Sequence, residues 1–397
     1  MSIDDPLLFA LLVFAIACGF YLGVRQRRST ETRSTSLVSS PGYFRGLNYL
    51  LNEQADSAVD KFIESLEVNA ETLETHLALG NMMRRKGEVD RAIKVHQNLI
   101  ARPSLNKSQL HIAQLELARD FIKAGLLDRA EGLLQELVES SNSLKITCLE
   151  LLVDIYRDEH EWEKGIHAVN LIVGRRWKKS PSKWGGVQAH FCCELAEIAL
   201  SKNDYLSARR YLKQGLAYDK DSVRASLLWG GLEYRLSHYR DALKILSRVA
   251  QQDSDYLPEA LGIIGDCYEA LDDQAGLLQF LNSALDEYPS NSLMQLVATK
   301  IAATEGDVVA AEFMGRHLKE RPSIKGLSQL LDMHLMHSEG RARDNLQLLK
   351  QLLDRLQELR SVYRCQRCGF NGKQLHWLCP SCKSWGSIKA VSGLEGE

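Results

Sequence analysis

Four cysteines near the end of the chain have the types and spacing to hold a metal ion. Cys365 and Cys368 stand in Cys-Gln-Arg-Cys, and after ten intervening residues Cys379 and Cys382 stand in Cys-Pro-Ser-Cys. Each pair offers two sulfurs from one tight turn, and the spacer can bring the second turn round to face the first. Gly369 can take the left-handed conformation that such a turn asks for, and Pro380 presets the turn after Cys379. Four thiolates in tetrahedral array select one zinc or one iron ion. Two disulfides, or four idle thiols, are the other readings of the same residues.

The opposite end bears on which reading holds. Leu7 to Val24 reads LLFALLVFAIACGFYLGV, 18 residues without a charge. At about 1.5 Å of rise per residue, that is enough helix to cross a hydrocarbon core. Asp4 and Asp5 precede it, and Arg25, Arg27, Arg28 and Arg33 follow. Positive charge on one flank predicts a single-pass anchor over 1–24, with a short external N-terminus and the rest of the chain in the cytoplasm. Thiols stay reduced there and available to a metal.

The 397 residues are 45% hydrophobic and 25% charged, with a formal net charge of −2. This is an ordinary balance for a soluble body, and it carries no general nucleic-acid footprint. Of nine cysteines, Cys18 lies in the anchor. Cys148, Cys192, Cys193 and Cys267 fall in helical patterns, where a thiol is a small apolar residue. Residues 25–42, basic at first and then rich in Ser and Thr, read as a flexible tether.

From 43 to 361 a pattern recurs. A small residue is followed twelve positions later by another and four further on by a bulky one. The series runs Gly46/Ala58/Phe62, Gly80/Ala92/His96, Ala118/Ala130/Leu134, Val153/Gly165/Val169, Ala196/Ala208/Leu212, Gly230/Ala242/Leu246, Gly265/Leu277/Leu281 and Ala298/Ala310/Met314. Small residues let two helices approach, and the bulky one fills the gap to the next pair. The pattern resembles the tetratricopeptide repeat, a helix–turn–helix unit of about 34 residues. It lacks that family's early tryptophan, and the fourth and seventh units are degenerate. A last pair near Ile324–His337 and Arg341–Ser361 closes the array. The expected fold is all-α: a solenoid of eight to nine helix pairs, with an N-terminal transmembrane helix and a four-cysteine metal module over 362–397.

Solenoids of this kind bind proteins along a face lined by the first helix of each repeat. The register places Asn81, Arg84, Arg85, Arg119 and Lys123 on that face as candidate partner-binding residues, with Glu150, Asp154 and Asp158 further along. An insertion over 174–186 carries Arg175, Arg176, Lys178, Lys179 and Lys183 around Trp177 and Trp184, a composition suited to an anionic surface or to a plain connector. No P-loop, H-E-x-x-H or G-x-S-x-G occurs. His160, His190 and His238 read as helix-end or turn residues without a chemical role. These features predict no enzyme.

An anchor, a cytoplasmic repeat array and a C-terminal CQRCGF…WLCPSCKSW together resemble the lipopolysaccharide assembly protein B family over essentially the whole chain. That family's metal site is rubredoxin-like. Here the C-x-x-C-G and C-P-x-C elements are kept, but the spacer is far shorter than in rubredoxin and Lys383 replaces the second glycine. The resemblance implies a regulatory adaptor at the bacterial inner membrane. It would promote degradation of the lipid A pathway deacetylase by the membrane protease FtsH, alongside other lipopolysaccharide assembly proteins and without nucleic acid. Two other classes fit parts of the chain: a nucleic-acid-binding zinc ribbon, supported by Arg364, Arg367 and Lys373, and an iron redox protein. The module, following directly on the last helix, is expected to pack against the final helices through Trp377, Leu378 and Trp385, or to use these as its own core.

Overall fold

The structure is a computed structural model. It describes residues 73–393 apart from Ser104, 175–182, Leu359 and Ser392. The anchor, the tether, the first repeat and most of the basic insertion lie outside these residues. No described helix is long and apolar enough to cross a membrane. The chain divides into two compact units, Met1–Cys148 and Leu149–Glu397.

The first unit contains α1 (Leu73–Lys86), α2 (Val89–Ile100), α3 (Lys107–Ala124), α4 (Leu127–Ser140) and the start of α5 (Lys145–Asp158). Asn106 caps α3 by accepting from the Gln109 backbone N–H while the Gln109 side chain returns the bond, the reciprocal box that fixes a helix start. Gly125, at φ 75°, ends it.

The second unit continues through α6 (Trp162–Val173), α7 (Lys183–Ser201), α8 (Tyr205–Tyr218), α9 (Val223–Arg235) and α10 (Tyr239–Leu246). A short α11 (Val249–Gln252) and a 3-10 turn (Ser254–Tyr256) lead to α12 (Leu257–Ala270) and α13 (Gln274–Glu287). Then come α14 (Asn291–Glu305), α15 (Asp307–Glu320), α16 (Ile324–Met336) and α17 (Gly340–Glu358). Pro289 and Pro322 each fall just past the end of a second helix, α13 and α15, as the repeat pattern requires.

Packing follows the small-and-bulky series. Ala92, Ala130, Ala208, Ala242 and Ala310 are completely buried, as are the partners His96, Leu134, Val169, Leu212, Leu246, Leu281 and Met314. Gly230 shows why a small residue is needed: a Cβ there would stand 2.4 Å from Leu246. The turn inside each repeat needs a residue at positive φ. Gly87, Gly125 and Gly306 supply it in three repeats, and His160, Asn203, Ser237 and Asp272 in four others. The four non-glycine residues accept a left-handed conformation that costs an ordinary side chain about 1 kcal/mol. Cys148, Cys192, Cys193 and Cys267 are fully buried, and burial pushes their thiols up. They are apolar filling.

The module after α17 is a three-stranded antiparallel sheet of β1 (Tyr363–Cys365), β2 (Asn371–Gly372) and β3 (Ile388–Ala390), in the order β2-β1-β3. Tyr363 pairs with Gly372 and Cys365 with Ile388.

Candidate metal centre

The two cysteine turns have matching geometry. The Gly369 N–H donates to Cys365 O and the Lys383 N–H to Cys379 O, both at 2.9 Å. Gly369 has φ 77° and Lys383 φ 55°. Lys383 therefore stands at the position of the missing second glycine and adopts the glycine-like conformation anyway.

These turns bring all four sulfurs within 4.8 Å of one another. Cys365 Sγ lies 3.8 Å from Cys382 Sγ, and Cys368 Sγ lies 3.6 Å from Cys379 Sγ. A tetrahedral ion with bonds of about 2.3 Å needs sulfurs about 3.8 Å apart, so the four thiols fit one zinc or iron ion with shifts of an ångström or so at most. Neither disulfide is formed, since all four are free thiols. Hydroxyls surround the sulfurs: Ser387 Oγ is 3.3 Å from Cys365 Sγ and Ser384 Oγ is 3.4 Å from Cys382 Sγ. Arg367 Nη1 donates to Ser384 Oγ at 2.7 Å, and the Cys382 thiol donates to the same oxygen. The Ser387 contact lowers the Cys365 thiol to about 6, and the Ser384 contact lowers Cys382. Burial holds Cys379 up, at about 11. An ion bound here would supply charge to hold the thiolates, and four donors leave it no open position.

The module is docked on the second unit by aromatic and polar contacts. Trp385 stacks on His190 with ring centroids 4.7 Å apart and 14° between planes. It also meets the edges of Trp162 and Phe191 at 6.4 and 6.1 Å. Trp377 stacks on Tyr256 at 5.1 Å. Arg224 lies 5.9 Å from the Trp377 ring and 5.8 Å from the Trp385 ring, close enough for a cation–π contact with both. Its guanidinium is held by Glu194 at 2.8 Å and Glu197 at 3.0 Å.

Polar contacts fix the register. The Tyr256 hydroxyl donates toward Ile388 O at 2.8 Å and Gly386 O at 3.2 Å, closing carbonyls beside β3. Lys389 bridges Asp255 at 2.7 Å and Asp253 at 2.9 Å. Burial alone would lower that ammonium, but the two carboxylates outweigh it and raise the lysine to about 12. Tyr363 donates to Glu259 at 2.5 Å, and Lys383 reaches Asp158 at 3.6 Å.

These anchor points lie on α5, the start of α6, α7, α9, the 3-10 turn and α12, mainly the first helices of the fourth to seventh repeats. The expectation that the module packs on the last helices is thus corrected. Its aromatic anchors reach back along the array, where His190, Arg224 and Tyr256 complement them. Trp377 and Trp385 serve the contact as expected, while Leu378 bridges to Trp385 inside the module. His190, expected at a helix end, is inside α7 and forms the platform for Trp385. No sequence pattern marks it, because its partner lies almost two hundred residues away.

The candidate partner-binding residues lie on the first unit. Arg85 and Lys123 are exposed. Arg84 is engaged internally: it donates to Asn81 at 2.6 Å and pairs with Glu116 at 2.7 Å and Asp120 at 2.8 Å. Arg119 pairs with the same Glu116 at 2.5 Å. Asp120 is fully buried and meets His96 Nδ1 at 2.5 Å. Glu116 and Asp120 escaped the sequence reading because a buried carboxylate has no periodicity of its own, and His96 was read only as the bulky member of its repeat. Further along, Asp154 and Asp158 bind Arg157 at 2.6 and 3.1 Å, and Glu150 faces Lys183 at 3.4 Å.

Fold and site together define a tetratricopeptide-repeat scaffold carrying a rubredoxin-type module. The tetratricopeptide repeat family matches residues 227–292, and the family described as a rubredoxin metal binding domain matches residues 363–390. Lipopolysaccharide assembly protein B of Escherichia coli K12 is 36% identical over 98% of this chain and 99% of its own length. The protein of that name from Haemophilus influenzae is 33% identical over 98% of this chain and 99% of its own length. The chain belongs to the lipopolysaccharide assembly protein B family.

Proposed function

We propose that this protein is a regulatory adaptor of lipopolysaccharide synthesis. Anchored in the inner membrane with its N-terminus periplasmic and its bulk cytoplasmic, it presents the lipid A pathway deacetylase to the FtsH protease and promotes its degradation. The observation that carries this reading is end-to-end identity of 33–36% with proteins named for lipopolysaccharide assembly.

The physical features are consistent with a scaffold. A metal site whose four donors fill the coordination sphere stabilises structure instead of activating a substrate. Tethering to one membrane surface raises the effective concentration of adaptor, protease and substrate for one another. Repeat arrays offer long faces for protein partners. Support for a nucleic-acid ribbon thins, because Arg364 donates to Asn371 at 3.0 Å and Arg367 to Ser384.

The test is the lifetime of the deacetylase. Depleting this protein should lengthen its half-life several-fold in cells that contain FtsH, and leave it unchanged in cells that lack FtsH. An unchanged half-life on depletion in the presence of FtsH would contradict the adaptor reading.

A further inference from the structure

A cavity of about 500 Å³ opens where α8, α9 and α10 meet, between the fifth and sixth repeats. Among its lining residues, Glu233 on α9 is only 4% exposed. Arg209 donates to this carboxylate from Nε at 2.8 Å and Nη2 at 2.7 Å, Trp229 from Nε1 at 2.8 Å and His238 from Nδ1 at 2.9 Å. Burial alone would raise the carboxyl, but the bonds from Arg209, His238 and Trp229 outweigh it and lower it. Glu233 is therefore ionised, and Arg209 balances its charge. This network ties two repeats together and explains those residues.

It leaves three cations unexplained. Lys213, Lys244 and Arg248 also line the cavity and are exposed. Lys213 lies 5.7 Å from the Trp229 ring, and none of the three meets a carboxylate among the described residues. The second lining carboxylate, Asp241, pairs with none of them. Four fixed cations thus stand against two carboxylates, a surplus of two positive charges around one concavity. Charge on a helix face is ordinarily just solvated, but here one donor is already held in place. Arg209 commits Nε and Nη2 to the buried Glu233, while its Nη1 has no partner among the described residues. A side chain ordered before the ligand arrives loses little freedom on binding.

The surplus selects the ligand. A phosphate monoester carries about −1.5 to −2 at neutral pH, with three acceptor oxygens, whereas a carboxylate or a phosphodiester carries one charge. Arginine and lysine are the side chains that take phosphate oxygens. The volume falls within the range of about 300–1,000 Å³ found for small-molecule sites, so an organic group has room beside the Trp229 indole. We propose that this cavity binds a phosphate monoester, with Arg209, Lys213, Lys244 and Arg248 around the phosphate. No residue of the metal module lines it, and the site stands apart from the adaptor reading.

The experiment is titration calorimetry on the full-length chain in mild detergent at low salt, with glycerol 3-phosphate and with dihexanoyl phosphatidic acid as probes. Saturable binding at one site is expected. Lys244→Ala with Arg248→Ala should raise the dissociation constant at least tenfold and leave the melting temperature without ligand unchanged. Arg85→Ala with Lys123→Ala removes the same charge from residues outside the cavity and should leave the constant unchanged. Glycerol 3-phosphate binding as tightly as the phosphatidic acid assigns the site to a soluble monoester, and phosphatidic acid binding at least tenfold tighter assigns it to a lipid headgroup. Absence of saturable binding by both probes overturns the proposal, as does equal weakening by the two double substitutions, which belongs to diffuse surface charge.

Discussion

Arg84 and His190 carry the residue-scale lessons. The repeat register placed Arg84 on the candidate partner-binding face. Its guanidinium instead sits between Glu116 and Asp120, so Arg84→Glu places a third carboxylate against two that are already largely buried. Breaking a buried pair costs about 3 kcal/mol or more, and the urea midpoint of this variant should fall accordingly. Arg85→Glu, at an exposed position, should shift stability by less than about 0.5 kcal/mol. Those two residues separate a binding test from a folding test.

His190 makes the dock sensitive to acid. Burial, with Arg224 nearby, pushes its imidazole down to about 3, whereas the unfolded chain titrates near about 6.5. Between those values the unfolded state binds the extra proton, so stability is full above about pH 6.5 and is lost as pH falls toward 3. Tryptophan fluorescence of the Trp385 contact should report loosening at pH 5 that is absent at pH 7.5. His190→Phe, which keeps a ring beneath Trp385 and removes the proton site, should flatten that dependence. Equal acid sensitivity in the variant would remove His190 from the account.

At the scale of elements, the repeat series was legible because helix pairs recur in sequence. Twelve-residue and four-residue intervals located the buried Ala92, Ala130, Ala208 and Ala242 and their bulky partners. The cysteine turns were legible for the same local reason, including the left-handed Gly369, whereas the same conformation at Lys383 was not. The dock was not. It joins Trp385 to His190, and Tyr256 to Ile388, across more than a hundred residues, and no spacing rule reaches that far. The buried side of α17 was not legible either, because the buried Leu353 and the exposed Leu352 look alike in sequence.

The module itself depends on its ion. The buried residues of its small core are Cys365, Cys379 and Ile388, far too few to fold alone. A structural tetrathiolate ion contributes on the order of 10 kcal/mol in modules of this kind. Cys365→Ser with Cys368→Ser should abolish metal binding and the fluorescence signature of the docked tryptophans, while circular dichroism of the array keeps most of its helical amplitude. Retention of the docked signature without metal would contradict this account.

For the whole molecule, folding and docking are linked. The knuckles order β1 and β3, β3 places Lys389 and the carbonyls that Tyr256 binds, and the loop between knuckle and strand presents Trp385 to His190. Removing the ion therefore removes the dock, but the dock can be broken while the ion stays. The central claim is that the adaptor works only with its module seated on the array. The most direct measurement is the half-life of the lipid A pathway deacetylase in cells whose chain carries Trp377→Ala and Trp385→Ala. Losing both ring contacts should weaken docking by about 2 kcal/mol or more, leaving metal content and protein abundance unchanged. The account predicts a half-life lengthened toward that of cells depleted of this protein. A half-life equal to that of the unsubstituted chain, with the module shown to be undocked, would contradict it.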